Sequence, residues 1–165
     1  MTVITVNTTT GRLSLEQRRT LAETLTDAVL VPEVGHHEPA ARPGFQVHFV
    51  ERQPDMMAIG GRLLADIGQP DVMVVDVAVM DADWRQDVRT EVIERILAAL
   101  AHACGLDRPA PAWWVNFRTI DEGSWGAGGG VLSILSLLDT GVFTEEKTNA
   151  IRAVLSPRQR QEPVG

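Results

Sequence analysis

Residues 45–61, FQVHFVERQPDMMAIGG, and residues 113–129, WWVNFRTIDEGSWGAGG, align without a gap under a shift of 117 − 49 = 68 positions. Phe45, Val47 and Phe49 then lie on Trp113, Val115 and Phe117, and Gly60-Gly61 lies on Gly128-Gly129. Bulky apolar residues alternate with Gln46 and His48 in the first copy, the pattern of a strand with one well-buried face. Carried upstream, the shift places Ile4 and Val6 on Val72 and Val74, and Leu25 and Val29 on Ile93 and Leu97. Strand, helix and strand are thus read twice, and a repeat of this period speaks directly to architecture.

Working outward, Val3, Ile4 and Val6 open a strand that leads through a Thr-rich stretch to Thr10 and a Gly11-Arg12 turn. Ser14 and Gln17 form a capping-box pattern for a helix carrying Leu21, Leu25, Ala28 and Val29, which is expected to stop at Pro32. The stretch from Pro32 to Gly44, with His36 and His37, reads as a loop, and AIGGRLLADIG (residues 58–68) is Gly-kinked and unassigned. The second unit has a strand through Val72–Val79, a helix from about Asp83 to Cys104 with Gly105 following, and a strand through Trp113–Phe117. VLSILSLL (131–138) reads as a strand or buried segment. Thr144 opens a last helix to about Leu155, and SPRQRQEPVG is expected to fray.

The fold class predicted is α+β: two tandem βαβ units, residues 1–68 and 69–135, forming one four-stranded sheet with helices on one face. Residues 136–165 add a C-terminal helix and tail to the same structural domain. The helix-free face is expected to be apolar and to need cover, which symmetric self-association supplies.

Of the 165 residues, 44% are apolar and 22% charged, enough for a sizeable core. Fifteen Lys and Arg against 22 Asp and Glu give a net charge of −7, which argues against nucleic acid and anionic membranes as partners. No apolar run reaches the roughly 20 residues of a membrane span, and the amino terminus lacks a basic and apolar leader pattern, so a cytoplasmic location is expected. Cys104 has no partner for an internal disulfide and reads as core filling. His36 and His37 beside Glu33 and Glu38 lack further spaced ligands, so no metal site is expected. Gly126–Gly130 lacks the Lys-Ser/Thr ending of a phosphate loop, and no cofactor is expected.

The first strand, Gly11-Arg12, the capped helix, the alternating second strand and the Trp125-Gly126-x-Gly128-Gly129 hairpin together resemble the tautomerase superfamily. NFRTIDEGSWGAGG (116–129) carries the closest likeness, and FVERQPDMMAIGG (49–61) matches it in the first half. Over about residues 2 to 135 the chain is similar to the 4-oxalocrotonate tautomerase-like proteins of the fused two-βαβ type, including the cis-3-chloroacrylic acid dehalogenase and malonate semialdehyde decarboxylase families. The resemblance implies a homotrimer and a cofactor-independent pocket. The activity it implies is proton transfer on a small carboxylate-bearing enol or keto acid, an isomerase reaction, with dehalogenation and decarboxylation as chemistries that use similar groups.

That family uses an amino-terminal proline as acid and base, and here Thr2 follows Met1. An α-amine, with a reference pKa of about 7.7–8.0, already approaches the requirement for a base near neutrality. Removal of Met1 would leave the Thr2 amine in the proline's place. A retained Met1 would move the amine by roughly 3.3 Å and put a thioether at the pocket mouth. Arg12 matches the family's carboxylate-holding arginine, a role suited to a planar bidentate donor, or it is a solvated turn residue. The family's second arginine aligns with Gln46 and Trp114. Arg118, on the same strand face as Trp114 with Asn116 between them, either supplies a displaced charge or faces solvent or a subunit neighbour. Trp125 aligns with the pocket's aromatic wall or serves a subunit interface, and His48 is a second acid or base or a strand bystander. The shift carries Arg12 to Met80, so one active site per chain is the most expected. The alternative function is a catalytically inactive scaffold or binding protein, because the proline is missing.

Overall fold

The computed structural model describes residues 1–159, with side chains described to Leu155. In chain order the elements are β1 (Thr2–Thr9), α1 (Leu15–Val34), β2 (Phe45–Arg52), β3 (Ala58–Ile59), β4 (Arg62–Leu63), β5 (Met73–Met80), α2 (Gln86–Ala103), β6 (Trp113–Ile120), β7 (Gly126–Ala127), β8 (Gly130–Val131), α3 (Ile134–Leu138) and α4 (Glu145–Gln159). The main sheet has the order β2-β1-β5-β6: each half contributes a parallel pair, and β1 and β5 meet antiparallel at the centre. The two-unit, four-stranded α+β plan expected from sequence is the one observed.

The repeat has two registers. β2 and β6, and the hairpins β3–β4 and β7–β8, correspond under the shift of 68. In both hairpins the turn is a Gly-Gly pair at positive φ, 58° and 79° at Gly60-Gly61 and 61° and 87° at Gly128-Gly129, the conformation of a tight two-residue hairpin turn. The first strand and helix of each half correspond under a shift of 71 instead, since Thr2 pairs with Phe45 while Met73 pairs with Trp113. Leu21, Leu25 and Val29 then fall on Val92, Ile96 and Leu100, all of them fully buried. A shift of 68 would set core-facing Ile4 on Val72, a residue of the opposite strand parity to the buried Met73, Val75, Val77 and Val79. The second half is three residues shorter between helix start and second strand, and the structural counterpart of Arg12 is Asp83, not Met80.

Local chemistry sets the helix ends. The capping box is present: Ser14 Oγ accepts from the Gln17 amide at 3.1 Å and Gln17 Oε1 accepts from the Ser14 amide at 2.8 Å. Contrary to expectation, α1 passes through Pro32 and ends at Gly35, whose φ of 94° lets its amide reach the Val31 carbonyl at 2.9 Å. Pro32 is tolerated because burial of this last turn outweighs one missing backbone bond. α2 begins at Gln86, not Asp83, because the Asp83 carboxylate is turned inward to Lys147. Residues 134–138 are the helix α3 and not a strand, since Ser133 caps them through the Leu135 amide. α4 runs on past Leu155 to Gln159, so the first four residues of the segment expected to fray are helical; the remaining six lie outside the described residues.

Ile4 and Val6, with Met73, Val75, Val77 and Val79, form the floor of the core under α1 and α2, and Ile134, Leu138, Ile151 and Leu155 join it from the C-terminal helices. Each fully buried side chain of this size contributes about 1.5–3 kcal/mol. The opposite face is not the apolar surface expected. A hydrogen-bonded row crosses it through all four strands: Arg52 Nη1 donates to Asn7 Oδ1 at 2.6 Å, and Asn7 Nδ2 and Asn116 Nδ2 each donate to the Asp76 carboxylate at 3.0 Å. Trp114 is the one large apolar side chain strongly exposed on this face among the described residues, and Leu15, Met56, Leu63, Leu106 and Val131 are exposed elsewhere. Among the described residues no helix is long and apolar enough to cross a membrane.

Candidate active site

The start of β1 lies between β2 and β5, and the last turn of α1 packs over it. This brings the Met1 amine to 4.0 Å from Glu33 Oε1, while Thr2 Oγ1 donates to Glu33 Oε2 at 3.2 Å. Glu33 is only 4% exposed, at the end of the buried helix stripe. Burial pushes its carboxyl above the usual range, against the opposing pull of the amino terminus and the Thr2 hydroxyl. The pair sits at the wall of a cavity of about 210 Å³ lined by Val34, Ala40, Ala41, Gly44, Phe45, Leu137, Thr140, Val142 and Phe143. An amine beside a buried carboxyl against largely apolar walls supplies the parts needed for acid–base chemistry.

Arg12 stands at the other end of β1, on the order of 25 Å from Thr2 at roughly 3.3 Å per strand residue. One chain does not bring the two together. The guanidinium is engaged by Asp71, with Nε at 2.7 Å and Nη2 at 2.8 Å from the two carboxylate oxygens, and it lies 5.7 Å from the centre of the Trp113 ring. The hydrogen bond from Arg12 is the main cause that holds the Asp71 carboxyl below its ordinary range. This ion pair ties the turn after β1 to the start of β5 and so joins the two halves.

Arg12→Ala is expected to cost about 1–2 kcal/mol in denaturant unfolding at neutral pH, allowing for solvent screening of a partly exposed pair. Because the folded-state pKa of Asp71 is depressed, this stability is present above the unfolded carboxyl value of about 3.9 and is lost as pH falls through the folded value. The gap between wild type and variant should close in acid. A gap that persists unchanged to pH 2 would assign the loss to packing on Trp113.

Arg118 and Asn116 lie on the open sheet face and line a concavity with Thr5, Asn7 and Asp76. They line no part of the Met1 cavity, which lies on the helix side of the sheet, and Asn116 is engaged by Asp76. Trp114 is 57% exposed on the same face, and Trp125 packs against the edge of the core in the loop before β7. His48 contacts Gln46 Oε1 at 3.1 Å on the outward side of β2. His36 pairs with Glu38 and His37 with Asp27, and among the described residues no group of three or more His, Cys, Asp or Glu is placed to hold a metal. Glu33 and Asp71, absent from the sequence-based set, are the two carboxylates that decide what the amine and Arg12 can do.

The sequence matches no family model and no curated protein. Its fold matches solved structures. A member of the cis-3-chloroacrylic acid dehalogenase family superposes with a TM-score of 0.66 at 18% identity, over 92% of this chain and 99% of that one. A native fused 4-OT gives 0.64 at 22% identity over 78% and 94%. A wild-type fused 4-OT, a symmetric trimer, gives 0.64 at 18% identity over 82% and 98%. The chain has the fold of these fused 4-OT and cis-3-chloroacrylic acid dehalogenase family proteins.

Proposed function

We propose that this protein is a tautomerase-like enzyme that moves a proton between carbon and oxygen of a small enolisable carbonyl compound. The observation that carries the proposal is the 4.0 Å pairing of the Met1 amine with the buried Glu33 carboxyl in an otherwise apolar cavity. The amine takes a proton from the carbon next to the carbonyl, and Glu33, whose protonated form is favoured by burial, gives its proton to the carbonyl oxygen. The enol forms, the ammonium returns a proton to the carboxylate, and the site is reset. If Met1 is removed, the new amine belongs to Thr2, whose hydroxyl already touches Glu33.

Assembly as a homotrimer accompanies this reading. The edge strands β2 and β6 each leave one side unpaired, and Met56, Leu63 and Val131 are exposed on or beside the hairpins that project from them. Light scattering at micromolar concentration should report three copies; a monomer would remove this part. A non-catalytic scaffold is the second reading, favoured by the occupation of Arg12 by Asp71.

The test is deuterium exchange at the α-carbon of phenylacetaldehyde and of phenylpyruvate, followed by NMR in D2O, with the amino-terminal residue identified by intact mass. Adding two residues ahead of the native terminus displaces the amine and is expected to cut exchange at least 100-fold with the fold intact. Full activity in the extended protein would exclude the amine as base. No exchange with either compound in the unextended protein would favour the scaffold.

A further inference from the structure

We infer that the Met1–Glu33 cavity accepts an uncharged aldehyde or ketone with an apolar body and discriminates against carboxylates; the catalytic half of this inference rests on the amine–Glu33 reading above. The first reason is charge. Whether the shared proton sits on the amine or on Glu33, the pair carries no net charge, so within one chain the pair itself does not offset the cost of taking a substrate carboxylate out of water. Two cations that flank the cavity are engaged by carboxylates, although the charge of Lys147 also reaches Glu33. Lys147 Nζ lies 3.4 Å from Asp83 Oδ2, and Arg42 pairs with Asp27. The second reason is the duplication. Arg12 has Asp83 as its counterpart in the second half, and it is Asp83 that lies at the amine's end of the sheet, where the ends of β1 and β5 meet. The amine and the arginine therefore stand at opposite ends of the fold, and the amine's end has a buried aspartate in the arginine's place.

The third reason is shape and polarity. Phe45, Leu137, Val142 and Phe143 supply most of the wall, and the Thr140 hydroxyl is already spent on the Leu137 carbonyl at 2.6 Å. A volume of about 210 Å³ has room for one aromatic ring and a short arm, since a cavity of about 150 Å³ holds benzene. The carbonyl oxygen would face Glu33, the proton donor of the reaction proposed above, and the ring would lie on the phenylalanines.

Acetophenone and benzoate differ mainly in charge and serve as binding probes. In protein labelled with ¹³C at Leu and Val methyls, acetophenone is expected to shift the Val142 and Leu137 signals at concentrations at least tenfold below those benzoate needs. Glu33→Gln removes the ionisable carboxyl of the pair, so that a proton carried by the amine is no longer balanced, and should raise benzoate affinity at least tenfold. Benzoate binding as well as acetophenone, neither probe moving these methyls, or no gain in the Gln variant would each overturn the inference. The exchange assay separates it from the reading it rests on. Faster turnover of phenylpyruvate than of phenylacetaldehyde defeats the neutral-substrate inference and leaves proton transfer standing. Selective acetophenone binding without any exchange supports the cavity's selectivity and defeats proton transfer.

Discussion

Glu33→Gln is expected to slow α-proton exchange by about 10²–10⁴-fold, the usual worth of a positioned general acid or base, with no loss of fold. The amide can still accept from the Thr2 hydroxyl, but it cannot deliver a proton. Stability should move the other way. The folded-state pKa of Glu33 is raised by burial, so its contribution to stability is fully present below the unfolded carboxyl value and is lost as pH rises through the folded value. The variant carries no such term, and its stability relative to wild type should grow with pH across that window. The wild-type rate should also fall as pH rises through the Glu33 pKa, a limb that the variant lacks. Exchange within threefold of wild type would remove Glu33 from the reaction.

Gly35→Ala is expected to destabilise by about 2–4 kcal/mol in thermal or denaturant unfolding, more than a helix-end substitution ordinarily does. At φ +94° any side chain is strained, and an added Cβ would lie 2.5 Å from Thr144 Oγ1 and 2.9 Å from its Cγ2. Thr144 cannot simply retreat, because its amide donates to the Val34 carbonyl at 2.9 Å and its hydroxyl oxygen accepts from the Lys147 amide at 3.2 Å. That junction holds the segment carrying Leu137, Val142 and Phe143 against the amine. Amide exchange across residues 137–147 should therefore speed up in the variant, and the cavity should bind more weakly. Gly105→Ala is the control: its φ is +67° and its added Cβ meets nothing within 4 Å, so only the backbone strain of about 1–2 kcal/mol remains. Equal losses at both positions would show that the contact with Thr144 does not matter.

The repeat was legible because its signal is local: alternating large side chains in Phe45–Phe49 and Trp113–Phe117, and a Gly-Gly pair at the same distance from each. The three-residue offset was not, because Val-rich β5 offers apolar residues to either parity and only burial separates Val72 and Val74 from Met73 and Val75. Glu33 was hidden by Pro32, which reads as a stop while the helix continues. A sequence signal did exist: Leu21, Leu25, Val29 and Glu33 recur at i, i+4, and a carboxylate on a buried stripe demands a partner. Asp71 had no such signal, since its pairing with Arg12 joins residues 59 apart whose meeting depends on the antiparallel seam. Residues 131–138 show the ordinary ambiguity of a short apolar run, resolved here by the Ser133 cap.

The Arg52–Asn7–Asp76–Asn116 row bears on how the strands find one alignment during folding. A slip of one residue between β1 and β5 would turn apolar side chains outward and is opposed by the core itself. A slip of two keeps every side chain on its proper face, and Ile4, Val6, Val75, Val77 and Val79 would pack nearly as well against shifted neighbours. Apolar patterning alone therefore leaves a ladder of near-equivalent pairings at the seam that joins the halves. The polar row breaks that degeneracy, because two residues of slip would part Asn7 from the Asp76 carboxylate and from the Val74 carbonyl, losing directional bonds on a partly covered surface. The face that holds no helix thus acts as a vernier for the face that does.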